Sequence, residues 1–229
     1  MTDPWAFGLT QLLTIFGFFI TAVIAISGFR TFERWKREKL EERRMEVALD
    51  GLSIAYESTY VFGHIRSILT SPDELKEATS RFEGGTDAVR QKVGPFFVVI
   101  QRIRHYQDFF DRLWKLQPRC MAVMGASAES IFNLVHMARK EIEISVETLS
   151  GNAIDPPDEK TDHYRELLAQ CRRNIWNQGE HEKEKDLVGK SLGEFRSRME
   201  GLCRPIIDRN YGIVSQSGIF RRACNYLGI

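Results

Sequence analysis

Residues 18–44 read FFITAVIAISGFRTFERWKREKLEERR. An uncharged apolar run passes directly into a run dominated by charge, with no proline between them and Gly28 as the one poor helix former. A helix that continues while its side chains change character this sharply suits two solvents in succession. From Pro4 to Phe29 there are 26 residues without Asp, Glu, Lys, Arg or His, and about 20 apolar residues suffice to cross a bilayer as a helix. Two other readings compete, a core helix of a soluble domain and a cleaved signal peptide. Uncharged runs of this length are rare in soluble domains. A signal peptide needs basic residues ahead of a shorter apolar core, whereas the flank MTDPW holds Asp3 and no Lys or Arg. Ala25-Ile26-Ser27 has the small-x-small pattern of a cleavage site without the basic flank. The reading is therefore an uncleaved transmembrane anchor over residues 1–29.

The charged run gives the anchor a direction. Arg30, Arg34, Lys36, Arg37, Lys39, Arg43 and Arg44 crowd its C-terminal side. Positive flanks stay on the cytoplasmic side, so the N-terminus is expected outside and the remainder inside, at the cell's inner (plasma) membrane. Trp5 and Trp35 suit the two headgroup zones. Asp3 and Pro4 suit the N-cap and the first helical position. Residues 30–44 hold seven basic and four acidic side chains and read as a charged juxtamembrane stalk helix. Arg30, Arg34, Trp35, Lys36 and Arg37 would touch the lipid surface, where each well-placed basic residue contributes about 1 kcal/mol.

The span also has a face. Thr10, Thr14, Gly17, Thr21, Ala25 and Gly28 recur at spacings of four and three, which aligns them along one stripe of a helix. In lipid, helices associate through close backbone approach along small residues and through hydroxyl hydrogen bonds rather than through apolarity. Small residues are common in membrane helices, and some align by chance. The stripe is nonetheless the candidate self-association face, and the polar Gln11 adds to it.

Residues 45–207 read as a cytosolic antiparallel bundle of four or five long helices, followed by a Gly-containing tail over 208–229 that would dock on the bundle or, as the alternative, on the membrane. Apolar residues from Val47 to Leu69 fall on more than one face, which predicts a helix in the middle of the bundle. Ser71-Pro72-Asp73-Glu74 is an N-terminal helix signature. Gly84-Gly85 and Gly94-Pro95 read as breaks. Phe96, Val99, Ile103, Tyr106, Phe110 and Leu113 alternate at three and four as one helix, and Pro118 reads as the start of the next, running from Met121 to Leu149. In that helix MGASAES would admit a close neighbour. SGNAIDPPDEK reads as a loop. Tyr164 to Ile175 and Val188 to Ile206 give two further amphipathic helices. Nothing alternates as a strand, so the class is all-α.

With 32 basic and 31 acidic side chains the net charge is +1, and the two signs interleave, so a nucleic-acid partner is not expected. Cys120, Cys171, Cys203 and Cys224 show no CxxC spacing and read as free thiols in a reducing compartment. Di-iron helix bundles place Glu three residues before a ligand His. The residues three before His64, His105, His136, His163 and His181 are Val61, Arg102, Asn133, Lys160 and Gln178. His105, Asp108 and Asp111 share a spacing that drifts off one face, and hydrogen bonds with Arg104 and Arg112 suit them better than a metal. There is no HExxH and no Gly-rich phosphate loop. No cofactor or metal is expected.

The stretch CRRNIWNQGEH, Cys171–His181, resembles the Arg-Asn…His element of HEPN-type helical ribonucleases. The resemblance implies that Arg173 and His181 act on the 2′-hydroxyl and phosphate of RNA, across a dimer. The seven residues between Arg173 and His181 exceed the family's usual spacing, and Gly179 falls between the two. The bland alternative puts Arg172, Arg173 and His181 on a charged helix end, with Trp176 packed at the bundle edge. Three functional expectations result. The first is a non-enzymatic, membrane-anchored, homo-oligomeric scaffold, sensor or effector whose partners are the lipid bilayer and a protein. The second is a membrane-tethered HEPN-like ribonuclease. The third is a membrane-permeabilising or channel-forming effector, although a span with Gln11 and threonines as its polar groups poorly lines an aqueous pore.

Overall fold

A computed structural model describes residues 4–80, 86–157, 161–177 and 185–211. Among them lie seven α-helices and no strand: α1 (Pro4–Ile65), α2 (Pro72–Ser80), α3 (Asp87–His105), α4 (Gln107–Met124), α5 (Ala128–Ile154), α6 (Asp162–Ile175) and α7 (Leu187–Tyr211). The chain divides into two compact units, Met1–Met45 and Glu46–Ile229. Asp3, the Gly84-Gly85 pair, His181, Cys224 and the tail from 212 onward lie outside the described residues.

The first unit is the N-terminal part of α1, which begins at Pro4. All residues from Gln11 to Arg44 are exposed. The segment is long and apolar enough to cross a membrane, and none of its apolar window is buried inside the structure. A core helix of a soluble domain would be covered; this one is not.

The second unit surrounds one apolar core. Along α1 and just past its end the buried positions Val47, Ala48, Gly51, Ile54, Ala55, Ser58, Val61, Phe62, Ile65 and Arg66 fall on one broad stripe. Leu49, Tyr60, Ile68 and Leu69 are exposed, at 43%, 85%, 59% and 84%. This corrects the expectation of a helix buried on several faces. The central element is α5, which packs against α3, α4, α6 and α7 and buries Ala128, Ile131, Phe132, Val135, Ala138, Ile142, Val146 and Leu149. Phe62 meets Phe110 edge-on at 6.0 Å, and Phe132 meets Phe195 at 6.1 Å. Aromatic pairs of this geometry add to the area they bury.

Several helix boundaries differ from the local signals. Gly94-Pro95 is no break, because α3 runs through it. Gly94 is buried, and a Cβ there would lie 2.8 Å from Thr79 Cγ2 and 3.0 Å from Leu75 Cδ1. The missing side chain is thus occupied by α2. Pro118 also lies inside a helix, α4, on an exposed face. The boundary falls instead at Gly125, whose φ of 100° favours glycine and ends α4. MGASAES consequently spans the α4–α5 turn, with Ala128 buried at the start of α5, and the loop read from Ser150 begins only after Ile154. The long helix expected from Phe96 to Leu113 is interrupted at Tyr106. One cap was legible. Ser71 Oγ accepts from Glu74 N at 3.1 Å while Ser71 N donates to the Glu74 carboxylate at 3.2 Å, a reciprocal capping box. Thr161 Oγ1 accepts from Tyr164 N at 3.3 Å.

Candidate functional site

Among the described residues nothing covers the span face. Thr14, Gly17, Thr21, Ala25 and Gly28 are all exposed, and a Cβ at Gly17 or Gly28 would meet nothing within 4 Å. Thr21 Oγ1 donates back to the Gly17 carbonyl at 2.8 Å. This local bond satisfies the hydroxyl without filling the groove beside Gly17. Thr10 and Trp5 lie within α1. On the charged side, Arg30, Arg34, Trp35, Lys36 and Arg37 are exposed. The Phe32 and Trp35 rings lie 5.9 Å apart. Arg37 pairs with Glu33 at 3.4 Å and Lys39 with Glu42 at 2.6 Å, both along one helix face. The acids between the basic residues therefore neutralise part of the positive surface.

The Arg-Asn element of the second unit is built into the fold. Arg173 is buried, and it donates to Glu166 at 3.1 Å and to Gln170 at 3.0 Å. Asn174 is also buried; it donates to Ser145 Oγ at 3.1 Å and accepts from Gln170 at 2.9 Å. Trp176 stacks at a tilt on Phe96, with centroids 5.7 Å apart. His105 and Asp108 fall on either side of the Tyr106 interruption, so the i, i+3, i+6 arrangement is not that of a single helix. Among the described residues no group of three or more His, Cys, Asp or Glu is placed to hold a metal.

Two buried arginines organise the polar interior, and the sequence reading missed both. Arg102 is 3% exposed. Its Nη1 donates to the carbonyls of Ser67 at 2.7 Å and His64 at 3.3 Å. Its Nη2 donates to the Leu69 carbonyl at 2.7 Å and, with Nε, it holds both Glu74 oxygens at 2.9 and 3.1 Å. All three nitrogens are engaged. The guanidinium thereby closes the end of α1 and ties α2 to α3. Its hydrogen bond pulls the Glu74 carboxyl below its ordinary 4.5, against a smaller opposing effect of burial.

Arg66, 4% exposed, does similar work with fewer contacts. Nε donates to the Asn174 carbonyl at 2.9 Å, and Nη2 to the Arg173 carbonyl and to Asp186 Oδ1, both at 2.8 Å. These bonds close the C-terminus of α6, whose orphan carbonyls need donors. Asp186 Oδ1 also accepts from Gly189 N at 2.9 Å, so Asp186 caps α7. Nη1 of Arg66 has no hydrogen-bond partner among the described residues. The signal available in sequence was an arginine set among apolar residues, in FGHIRSIL and in VVIQRIRH.

A cavity of about 380 Å³ opens beside Arg66, between the end of α1 and the start of α7. Thr59, Phe62, Gly63 and Arg66 line it from α1, and Gly189, Lys190, Leu192, Gly193 and Arg196 from α7, with Asn177 and Asp186 at one end. A second cavity of about 430 Å³, lined by His64, Glu74, Glu77 and His105 among others, surrounds the saturated Arg102.

Compared with protein-family models, curated proteins and solved structures, the chain matches none.

Proposed function

We propose that the chain is a single-pass membrane protein whose cytosolic helical bundle is tethered by α1, self-associates through the Thr10–Gly28 stripe and presents its surface to a protein partner. In this reading the N-terminus is outside, the body lies at the inner face of the plasma membrane, and Arg30, Arg34, Trp35, Lys36 and Arg37 meet the headgroups. The observation that carries it is the uncovered apolar segment of α1, in which Gly17, Thr21 and Ala25 leave an unfilled groove. A scaffold is supported over a ribonuclease by Arg173, which is tied to Glu166 and Gln170 rather than presented to solvent.

The test replaces Gly17 and Thr21 together with Leu in the full-length protein. Sedimentation equilibrium in detergent is expected to show a shift toward monomer. Unchanged association removes the stripe from the account. RNA cleavage by the full-length protein, lost in His181→Ala, would favour the ribonuclease instead.

A further inference from the structure

The charges that follow the apolar run are graded along α1. Residues 30–37 hold Arg30, Arg34, Lys36 and Arg37 against Glu33, a net of +3. Residues 38–45 hold Lys39, Arg43 and Arg44 against Glu38, Glu41 and Glu42, a net of zero. The ion pairs sharpen the grading. Arg37 pairs with Glu33, Lys39 with Glu42 and Arg44 with Glu41. In the second stretch this leaves Glu38 and Arg43, which cancel. In the first it leaves Arg30, Arg34 and Lys36, all positive and all exposed, with no ion pair among the described residues.

Distance along the helix separates the same two groups. Arg30 follows directly on Phe29, the last residue of the uncharged run. The polar zone on each side of the hydrocarbon core is about 5–8 Å deep. At a rise of about 1.5 Å per residue, Arg34 lies about 6 Å beyond Arg30, Arg37 about 10 Å and Lys39 about 14 Å. The two unpaired arginines therefore fit within the headgroup zone, and the ion-paired residues lie past it. Arg34 is turned about 40° from Arg30, whereas Phe32 and Trp35 are turned about 140–200° from it. The guanidinium groups thus share one face of the helix. The exposed aromatic pair, its rings 5.9 Å apart, takes the other.

We infer that, with α1 as the membrane span proposed above, Arg30 and Arg34 form a headgroup site for an anionic phospholipid, its phosphate shared between the two guanidinium groups while Phe32 and Trp35 seat the opposite face in the interface. Guanidinium forks match phosphate oxygens in pairs. A zwitterionic headgroup carries its own amine, which offsets its phosphate; an anionic one leaves the negative charge for the protein. Each basic residue at the surface favours anionic lipid by about fivefold. Arg37 and Lys39 add little, because Glu33 and Glu42 already hold them.

The experiment places the full-length protein in nanodiscs of equal parts phosphatidylcholine and phosphatidylglycerol, and reads the lipids it retains by native mass spectrometry. The parent is expected to retain phosphatidylglycerol with an enrichment of about fivefold or more. Arg30→Gln with Arg34→Gln should abolish the enrichment. Arg37→Gln with Lys39→Gln, an equal change in charge, should keep it within about twofold of the parent. Arg30→Lys with Arg34→Lys keeps the charge without the forks and should lose more than half of it. Equal losses in the two glutamine variants would show diffuse attraction and overturn the site, as would full retention by the lysine variant. Entry into nanodiscs without enrichment refutes the site alone. A chain that does not enter refutes the span and the site with it.

Discussion

Within α1, two stripes of small residues share a spacing and differ in cover. Gly17, Thr21 and Ala25 are exposed, with nothing among the described residues within 4 Å of a Cβ at Gly17. Ala48, Gly51, Ala55 and Ser58 are buried, and a Cβ at Gly51 would lie 2.7 Å from Met199 Cε and 3.2 Å from Cys203 Sγ. In both, absent side chains create a groove into which another helix can settle closely. In the second unit α7 fills that groove. In the first, no described residue occupies the groove or covers its bulky apolar surroundings. The difference teaches that small-residue spacing specifies closeness of approach, whereas the identity of the neighbour must come from elsewhere: from the same chain in water, from a second helix in lipid.

Gly51→Leu breaks the covered stripe and carries the largest expected effect. Side-chain atoms forced against Met199 and Cys203 are expected to cost about 1–3 kcal/mol, read as a lowered denaturation midpoint by circular dichroism. The thiols give a second readout. Burial pushes Cys203 up to about 11 and Cys120 up to about 12. At pH 8 their thiolate fraction is on the order of a thousandth or less, so alkylation is slow in the native chain and accelerates in Gly51→Leu. Native-like stability and labelling in the variant would refute the close α1–α7 contact.

The uncovered stripe should respond in the opposite way. Gly17→Leu with Thr21→Leu is expected to leave the denaturation midpoint of the body unchanged while weakening self-association by about 1–2 kcal/mol, read by sedimentation equilibrium. A fall in body stability would mean that this segment is packed against the chain after all.

Acid tests the lock at the end of α1. Arg102 depresses the Glu74 carboxyl below its ordinary value of 4.5. A carboxylate whose folded value is lowered contributes stability that is complete above the unfolded value and is lost as pH falls through the folded one. The contribution is therefore intact at neutral pH and decays below about pH 4.5. The Glu74 side chain is 34% exposed, and solvent screening reduces the effect to about 1 kcal/mol. Glu74→Gln should lose that amount at pH 7 and flatten this part of the acid profile in denaturant titrations. A profile identical to the parent's would assign the acid sensitivity elsewhere.

The smallest effect checks the exposed side of the covered stripe. Leu49→Lys and Tyr60→Ser are expected to change stability by less than about 0.5 kcal/mol each. A helix enclosed on every face would lose several times more, and the same denaturation assay distinguishes the two.

The apolar segment, the all-helical class, the Ser71 cap and the periods of α5, α6 and α7 were legible because each is written in consecutive residues. Gly94-Pro95 and Pro118 misled because a local breaking tendency was overridden by the surroundings, in the first case by Thr79 and Leu75 filling the position of the missing side chain. The helix from Val47 was misassigned because Leu49 and Tyr60 are apolar yet exposed, and composition does not report which face finds a neighbour. Arg66 was invisible as a site residue because its acceptors at 173, 174 and 186 lie over 100 positions away. Arg173 carried the sequence motif, while its structural partners, Glu166 and Gln170, lie within two turns of the same helix.

The contact of Gly51 with Met199 has a consequence for synthesis. The two residues are separated by 148 positions, from 51 to 199. At about 5–20 residues per second, a ribosome takes roughly 7–30 s to traverse that interval. Throughout it the Ala48–Ser58 stripe has been made and its cover has not. For those seconds the nascent chain carries two vacant grooves, and a neighbouring copy emerging on the same message can settle into the wrong one. The timing of α7's arrival therefore separates correct closure from intermolecular exchange.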